Sequence, residues 1–210
     1  MAFTDAEIDK IIKFNPIPTI RTPKVQRKKK KPTISPAEQQ QLIEILLSET
    51  NGLCYIFIMN TGVRPGENGG MKWKHYSYED ANVKVRDNYG KVTYYDDNFE
   101  KIESKFEEKD LKTPSSYRNI PLQKWLNNMM YAYMHYIMQQ RGYTKKEQLD
   151  DEYIFMNSLG HALSSDYLWD TLDKILKRHN FKHLSVYQLR HLFATRCVEL
   201  GFDVKTLSEI

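Results

Sequence analysis

The sequence predicts a mainly α-helical fold with a small antiparallel β-sheet, which belongs to the α+β class. Apolar residues recur at helical spacing in several segments, and turn residues separate these segments. Between two of them, residues 82–99 and 116–121 alternate between apolar and polar side chains, as strands do. Because three short strands are too few for an independent β domain, we expect them to lie on the edge of a helical body.

Composition restricts the class of protein. The chain has 210 residues, of which 40% are hydrophobic and 28% charged, as in a globular protein with one well-buried domain and a piece of a second. No apolar run reaches the roughly 18 to 20 residues of a membrane span, and the amino terminus lacks a secretory signal. We therefore expect a cytoplasmic protein without a membrane partner.

The histidines and cysteines lack metal-ligand spacing, so we expect no metal site, and we interpret Cys54 and Cys197 as reduced core residues.

Positive charge is concentrated at the amino terminus. The net charge is +4, yet residues 1–35 hold nine Lys/Arg and three acidic residues, which is +6. Residues 36–210 hold 22 basic and 24 acidic residues, which is −2. A polyanion would therefore bind through charge that is sorted locally on the body and through a basic arm.

The amino-terminal residues have the pattern of a helix end followed by a linker. Residues 5–14 resemble the last turns of a helix, which Asn15-Pro16 ends because proline cannot continue it. From there to Thr33, repeated prolines and a Lys/Arg run predict a linker with little to bury. Its basic residues either follow phosphates, as Lys/Arg runs do by releasing counterions, or form a solvated tether or a localisation-like patch. They are Lys24, Arg27, Lys28, Lys29, Lys30 and Lys31.

Capping signals mark the helices of the body. The sequence Ser-Pro-Ala-Glu at 35–38 combines a serine N-cap, a proline at the first helical position and a glutamate for a capping box, and predicts a helix that ends at Asn51-Gly52. Residues 53–59 are apolar all round and predict a buried helix. Further helices are predicted from Leu122 onwards and from Ser164 to His179.

Two further patterns concern the strands and the carboxyl-terminal helix. Asn-Tyr-Gly at 88–90 predicts a hairpin turn, and the charged residues 96–112 predict a loop. Residues 183–196 predict a helix with two different faces. One face holds Tyr187, Arg190, His191 and Ala194, and the other holds Leu189, Phe193, Cys197 and Leu200.

Three basic side chains lie where predicted elements end. Arg64 follows the buried helix, and it either pairs with Glu67 or grips an oxyanion with two parallel N–H donors. Lys112 lies on the turn before the last strand, where a lysine is usually solvated. Arg190 lies one helical turn after Tyr187. If these groups converged on one phosphate, they would clamp a phosphoryl transition state, whose catalysis is mostly positioning and charge neutralisation.

Three motifs in a fixed order resemble those of a known family. They are Thr-Gly-Val-Arg-Pro-Gly-Glu at 61–67, Lys-Thr-Pro-Ser-Ser-Tyr-Arg-Asn-Ile-Pro-Leu at 112–122 and Tyr-Gln-Leu-Arg-His-Leu-Phe-Ala-Thr-Arg at 187–196. Together with the capped helix and the basic linker before it, they make residues 33–210 resemble the catalytic domain of the tyrosine recombinases, the phage-integrase type of mobile elements. Residues 1–32 resemble the end of the family's core-binding domain and its interdomain linker.

The resemblance implies a function and a set of partners. Tyrosine recombinases cut and rejoin double-stranded DNA through a 3′-phosphotyrosyl intermediate, without a metal or nucleotide cofactor, and their protomers assemble on DNA as a tetramer. By matching position, Arg64 and Arg190 would hold the scissile phosphate and Lys112 would protonate the leaving 5′ oxygen. Tyr187 would occupy the place usually taken by a histidine. Arg118, in the second motif, is expected to contact DNA.

The chain departs from the family pattern at three places. A phenol at Tyr187 can donate a hydrogen bond to a phosphate oxygen, but with a pKa of about 10 it is a poor base. Residues 68–70, Asn-Gly-Gly, stand where the family usually has apolar residues. Because each glycine in a helix costs about 1 kcal/mol relative to alanine, we expect a loose helix behind Arg64. The family's second His/Trp position and its nucleophilic tyrosine lie further downstream than Ile210, so we expect a catalytic domain that is incomplete at its carboxyl terminus.

Two functions follow from these observations. The first is site-specific DNA recombination or integration by the full-length parent, with this chain lacking the nucleophile and unable to cleave DNA. The alternative is a catalytically inactive DNA-binding module or remnant of a mobile-element integrase. In both cases we expect Arg64, Lys112 and Arg190 to surround one concave, positively charged spot.

Overall fold

The computed structural model describes residues 2–20, 34–111 and 116–203, and it divides into two compact units, residues 1–32 and 33–210. The first unit contains helix α1 (Ala2–Ile8) and a short 3-10 turn at Ile17–Thr19. Helix α1 ends well before the predicted end at residue 14, because Lys10 adopts a left-handed backbone with φ of 57°. The basic residues at 24–31 lie outside the described residues, so their role stays a prediction.

The second unit begins with two helices that the sequence predicts correctly. Helix α2 (Pro36–Leu47) starts with the predicted capping box, in which the Ser35 backbone N–H donates to Glu38 Oε2 at 2.7 Å and the Glu38 N–H donates to Ser35 Oγ at 3.2 Å. It ends slightly earlier than expected. Helix α3 (Gly52–Thr61) is buried on nearly all sides and forms the centre of the core. Its neighbours include α2 and the carboxyl-terminal helix.

The predicted small antiparallel sheet is present, but only two of its three strands are among those predicted. The expected strand around residues 92–94 lies in a second sheet, and residues 76–77 take its place. The strands of the three-stranded sheet are β1 (Tyr76–Ser77), β2 (Asn82–Val85) and β5 (Arg118–Pro121), in the order β1-β2-β5. Val83 on β2 pairs with Ile120 on β5, and both side chains are buried. The sheet therefore presents one face to the core, in agreement with the alternating pattern of its residues.

Between β2 and β5 the chain forms a second, two-stranded sheet, where the sequence predictions were wrong. Strand β3 (Asp87–Tyr95) runs through the expected turn at 88–90, and strand β4 (Lys101–Asp110) occupies most of the expected loop at 96–112. The hairpin turn instead lies at residues 96–100. Charged side chains lie on both faces of this ribbon because neither face is buried, so the alternating pattern that identifies a half-buried strand is absent.

Three longer helices follow the sheets in the described part of the second unit. They are α5 (Lys124–Arg141), α6 (Ser165–Arg178) and α7 (Val186–Glu199). Helix α5 begins two residues after Leu122, because the Leu122 N–H donates to the Ala81 carbonyl at the end of the sheet. The predicted apolar face of α7 is only partly right. Leu189 is buried, Phe193 and Cys197 are half-buried, and Leu200 lies exposed beyond the end of the helix.

The short helix α4 (Pro65–Gly70) behind Arg64 is tightly packed, so the expectation of a loose helix was wrong. A Cβ atom built on Gly66 would lie 2.2 Å from Asn88 Oδ1, and one on Gly70 would lie 2.9 Å from the Asn88 backbone nitrogen. A Cβ atom on Gly69 would lie 2.5 Å from the Leu163 carbonyl oxygen. The glycines therefore let β3 and the segment before α6 touch the helix backbone directly.

Asn68 on α4 allows a test of stability. Its side chain is fully buried, and neither amide atom has a hydrogen-bond partner within the part of the chain that the structure describes. Because an unpaired buried amide costs about 1–3 kcal/mol, Asn68→Leu should raise the free energy of unfolding by about that amount. The change is measured by urea unfolding.

Asn127 provides the matched control for this substitution. It is also buried, but it donates to the Tyr78 carbonyl at 2.9 Å and accepts from the Tyr76 hydroxyl at 2.8 Å. Asn127→Leu should therefore lower the free energy of unfolding. A loss of stability in both variants would contradict the interpretation of Asn68.

Candidate active site

The backbone that carries Arg64 is fixed on both sides. Gly62 ends helix α3 with a left-handed φ of 68°, and a Cβ atom there would lie 2.5 Å from the ring of Phe193 on α7. Glycine is therefore required by conformation and by space. On the other side, Pro65 takes the first position of α4, which suits its fixed φ. Arg64 thus stands in an extended conformation between two buried helices.

A buried carboxylate holds the side chain of Arg64. Glu67 is 2% exposed and accepts from the Arg64 backbone N–H at 2.9 Å and from Arg64 Nη1 at 2.5 Å. The Arg64 side chain remains half-exposed, so part of its guanidinium still faces solvent. Of the two interpretations of Arg64, the local ion pair is present in the structure, and it leaves donor atoms for an anion.

Arg118 completes the support of this pair from strand β5. Its Nη2 donates to Glu67 Oε2 at 2.8 Å and its Nη1 donates to the Ser116 carbonyl at 3.1 Å, while its side chain is only 8% exposed. The structure thus places Arg118 behind Arg64 and against Glu67, rather than on an open surface. A direct contact between Arg118 and DNA stays a prediction, and this placement does not favour it.

Two arginines keep Glu67 ionised in a buried position. Burial by itself raises the pKa of Glu67, but hydrogen bonds from Arg118 and Arg64 outweigh it, so the pKa lies below the ordinary value of a glutamate. The carboxylate therefore carries its full charge at neutral pH. It orients two guanidinium groups and neutralises only one of their charges.

Arg190 joins the cluster from helix α7. Its Nη1 donates a hydrogen bond to the Gly62 carbonyl, just before Arg64. Burial lowers the pKa of Arg190, and the positive charges of Arg64 and Arg118 lower it further. The bond to the Gly62 carbonyl places Arg190 beside the turn that carries Arg64, while Arg64 and Arg118 both pair with Glu67. Three guanidinium groups and one carboxylate leave an excess of positive charge here.

Tyr187 lies at the edge of the cluster, one turn before Arg190. Its side chain is 48% exposed, and its ring centroid lies 5.8 Å from that of Trp169 on α6. Tyr187 precedes Arg190 by three residues on helix α7, a spacing that puts both side chains on one face of the helix. Its hydroxyl can donate a hydrogen bond to an anion held by the arginines.

The structure brings together four of the site residues predicted from the sequence, namely Arg64, Arg118, Tyr187 and Arg190. Lys112 lies outside the described residues, so its place in the site stays a prediction. Sequence reasoning missed the link between Glu67 and Arg118 and the contact between Tyr187 and Trp169. The first pair is 51 residues apart, so no local pattern indicates it.

The described part of the chain contains neither a candidate metal site nor a helix that could span a membrane. Residues 2–20, 34–111 and 116–203 contain no group of three His, Cys, Asp or Glu side chains that could hold a metal ion. No helix in these ranges is long and apolar enough to cross a membrane.

Comparisons with known proteins agree on one family. The family model described as "Phage integrase family" matches residues 32–210. The XerC-like tyrosine recombinase of Caldanaerobacter subterraneus subsp. tengcongensis is 27% identical over 183 residues, which cover 85% of this chain and 46% of that protein. The tyrosine recombinase XerC of Oceanobacillus iheyensis is 36% identical over 75 residues, which cover 34% of this chain and 25% of that protein. The chain spans about half the length of the first of these relatives.

Solved structures show the same fold. The integrase of transposon Tn1549 in complex with transposon right end DNA has a TM-score of 0.73 at 18% identity, covering 99% of this chain and 66% of that one. The XerA recombinase has a TM-score of 0.63 at 17% identity, covering 87% of this chain and 56% of that one. The predicted α+β fold of a tyrosine recombinase catalytic domain is therefore confirmed.

The buried Glu67 predicts a characteristic pH dependence. Because its pKa is lower in the folded state than the ordinary value of 4.5, its ion pairs stabilise the fold above about pH 4.5, and this contribution is lost as the pH falls through the folded pKa. Glu67→Gln should lower the free energy of unfolding by about 3 kcal/mol at pH 7, and by progressively less below pH 4.5. Urea unfolding at several pH values measures the difference.

Glu79→Gln, at an exposed carboxylate, is the control and should change the free energy of unfolding by less than about 0.5 kcal/mol throughout. If the Glu67→Gln difference stayed constant down to pH 3, the carboxylate would not be the charged group that we describe.

Proposed function

Because the chain belongs to the phage integrase family, we propose that it is the phosphate-binding part of a tyrosine recombinase, which cuts and rejoins double-stranded DNA at specific sites. The observation that carries the proposal is the cluster in which Arg64 and Arg118 pair with the carboxylate of Glu67 and Arg190 bonds to the neighbouring Gly62 carbonyl. A phosphodiester is the anion that such a cluster fits best, since guanidinium groups bind phosphate oxygens with two parallel donors. The named relatives, which are recombinases and integrases, support this assignment.

In the proposed mechanism, Arg64 and Arg190 hold the non-bridging oxygens of the scissile phosphate. Negative charge on these oxygens increases in the transition state, so two pre-oriented cations stabilise it more than the ground state. Glu67 and Arg118 fix the position of Arg64 before DNA binds. Lys112, by its motif, protonates the leaving 5′ oxygen, and Tyr187 donates a hydrogen bond to the phosphate. We assign the nucleophile to none of the tyrosines of this chain.

A specific observation favours a second candidate function. Tyr187 replaces the histidine of the family motif, and a phenol with a pKa of about 10 cannot serve as a base at neutral pH. A catalytically inactive DNA-binding module, or remnant of a mobile-element integrase, would need only the clamp. In both proposed functions the partner is duplex DNA and the protein acts in the cytoplasm. As a recombinase, it would also assemble with other protomers on the DNA.

The clamp is tested by removing each of its two proposed phosphate contacts. Arg64→Gln and Arg190→Gln should each weaken binding of this chain to duplex DNA by about 10- to 100-fold, since each removes a charged hydrogen bond to the same phosphate. The double variant should lose less than the product of the two, because contacts to one phosphate are coupled. Fluorescence anisotropy with a labelled duplex measures the affinities.

Arg178→Gln is the matched control, because Arg178 is an arginine paired with Glu49 and not part of the cluster. It should bind duplex DNA as the parent chain does. Equal losses in all three single variants would mean that only the net charge matters, and the assignment of the cluster would fail.

The basic linker is tested by the salt dependence of binding. Each phosphate contact contributes about 0.9 to the slope of log K against log salt concentration, so Lys28→Gln, Lys29→Gln and Lys30→Gln together should flatten the slope by about 2–3. The control replaces Lys101, Lys105 and Lys109 of the β3–β4 hairpin with Gln, which is the same change in net charge. An unchanged slope in the linker variant would show a solvated tether that does not touch phosphates.

A further inference from the structure

Two aromatic side chains from different helices pack against each other one helical turn before Arg190. The ring centroids of Trp169 on α6 and Tyr187 on α7 lie 5.8 Å apart, and the ring planes are inclined by 51°. Centroid distances of about 4.5–7 Å with tilted rings are typical of favourable aromatic pairs. The proposed mechanism uses Tyr187 as a hydrogen-bond donor but gives Trp169 no part.

Packing of helix α6 in the core does not require a tryptophan at position 169. The buried stripe of this helix consists of Leu168, Leu172, Ile175 and Leu176. Trp169 lies outside the stripe, four residues after Ser165 and four before Asp173, and it remains 38% exposed. Polar residues are usual on this side of an amphipathic helix. The contact with Tyr187 therefore accounts for the large apolar ring better than core packing does.

The backbone beneath Trp169 is held by helix α3. The Tyr55 hydroxyl, on α3, donates to the Leu168 carbonyl at 3.0 Å, and both of these side chains are fully buried. Helix α3 is also the helix that leads to Arg64, so the indole ring and the clamp are carried by connected elements. A side chain on a helix that is fixed in this way orients a neighbour more precisely than a side chain on a loop does.

Helix α7 fixes the backbone of Tyr187 but not its phenol. The helix starts at a capping box, in which the Ser185 N–H donates to Gln188 Oε1 at 2.9 Å and the Gln188 N–H donates to Ser185 Oγ at 3.2 Å. Among the described residues, no hydrogen-bond partner holds the Tyr187 hydroxyl. Packing against Trp169 therefore restricts the rotamers of the phenol and leaves the hydroxyl available to a ligand.

A phenol that is restricted before binding loses less entropy when it binds a phosphate. Ordering a mobile side chain costs free energy, and this cost lowers the affinity for the ligand that orders it. Tyr187 and Arg190 share one face of α7, so both side chains can serve the same anion. Orientation by Trp169 therefore strengthens the hydrogen bond that Tyr187 donates in the proposed mechanism.

We propose that Trp169 is a positioning residue for Tyr187. Its indole ring holds the phenol in the orientation in which the hydroxyl donates to the phosphate bound by Arg64 and Arg190, and the indole itself does not contact DNA. The phenol acts only as a hydrogen-bond donor, so Trp169 takes no part in proton transfer. This inference rests on the proposed function, because it assigns a support to the phenol of that site.

Truncation of the indole tests the positioning role. Trp169→Ala should weaken binding of this chain to duplex DNA by about 3- to 10-fold, because the hydrogen bond from the phenol to the charged phosphate oxygen is then only partly made. Trp169→Phe keeps an aromatic ring beside Tyr187 and should stay within about twofold of the parent chain. Fluorescence anisotropy with a labelled duplex gives the affinities, and thermal unfolding followed by circular dichroism verifies that each variant is folded.

Trp125→Ala is the matched control. Trp125 lies on helix α5, is also 38% exposed, and donates its indole N–H to Gln123 Oε1 at 2.6 Å. This substitution removes the same side chain at the same exposure from outside the candidate site. It should leave the affinity for duplex DNA unchanged.

A double-mutant cycle separates positioning from a direct contact with DNA. Tyr187→Phe keeps the ring and removes the hydroxyl, so it should weaken binding by about 5- to 20-fold. In this background Trp169→Ala should cause no further loss, because the hydroxyl that the indole positions is already absent. A tryptophan that stacked on DNA itself would instead cost as much in the Tyr187→Phe chain as in the parent chain.

Two outcomes would overturn this inference and leave the proposed function intact. One is a loss of affinity in Trp169→Ala that is equal in both backgrounds, which would make the indole a DNA contact. The other is a Trp169→Ala chain that binds duplex DNA as the parent does, while Arg64→Gln and Arg190→Gln lose binding. If the two arginine variants also bound as the parent does, the clamp itself would fail, and the role of Trp169 would fail with it.

Discussion

The buried carboxylate of Glu67 is the constraint on which the candidate site depends. An ionised carboxylate that is 2% exposed is stable only when its charge is matched and its oxygens are bonded. Here the Arg64 backbone and side chain satisfy it from one element and Arg118 satisfies it from another, 51 residues later. The carboxylate therefore fixes Arg64 before any ligand arrives. Because one carboxylate serves several guanidinium groups, positive charge remains for a phosphate.

Close backbone contacts keep this arrangement rigid. Because Gly62 has no side chain, the ring of Phe193 can approach the turn before Arg64. The Gly62 carbonyl also accepts a hydrogen bond from Arg190. Gly66 and Gly70 let strand β3 lie directly on helix α4. The base of the β3–β4 hairpin thus packs on the helix that follows Arg64.

Much of the fold follows from local signals, and the departures have physical causes. The capping box at Ser35 and the wholly apolar segment of α3 are strong local patterns, and both helices form as predicted. Strand β4 was missed because it is solvated on both faces and has no alternation to detect. The loose helix was predicted from the intrinsic preferences of Gly69 and Gly70, which tertiary packing overrides. In the site, the ordered motifs identified Arg64 and Arg190 as candidates. The support from Arg118 depends on a contact between strand β5 and helix α4, which no local spacing in the sequence indicates.

We propose that Arg64 and Arg190 bind one DNA phosphate while Arg118 holds Glu67 behind them. NMR of the guanidinium ¹⁵N–¹H groups of the full chain, during titration with a short duplex and with each arginine assigned by substitution, tests this arrangement. The Arg64 and Arg190 signals should shift together at one affinity, and the Arg118 signals should stay near their unbound positions. Shifts confined to Arg118, or none at Arg64 and Arg190 when the duplex is bound, would contradict it.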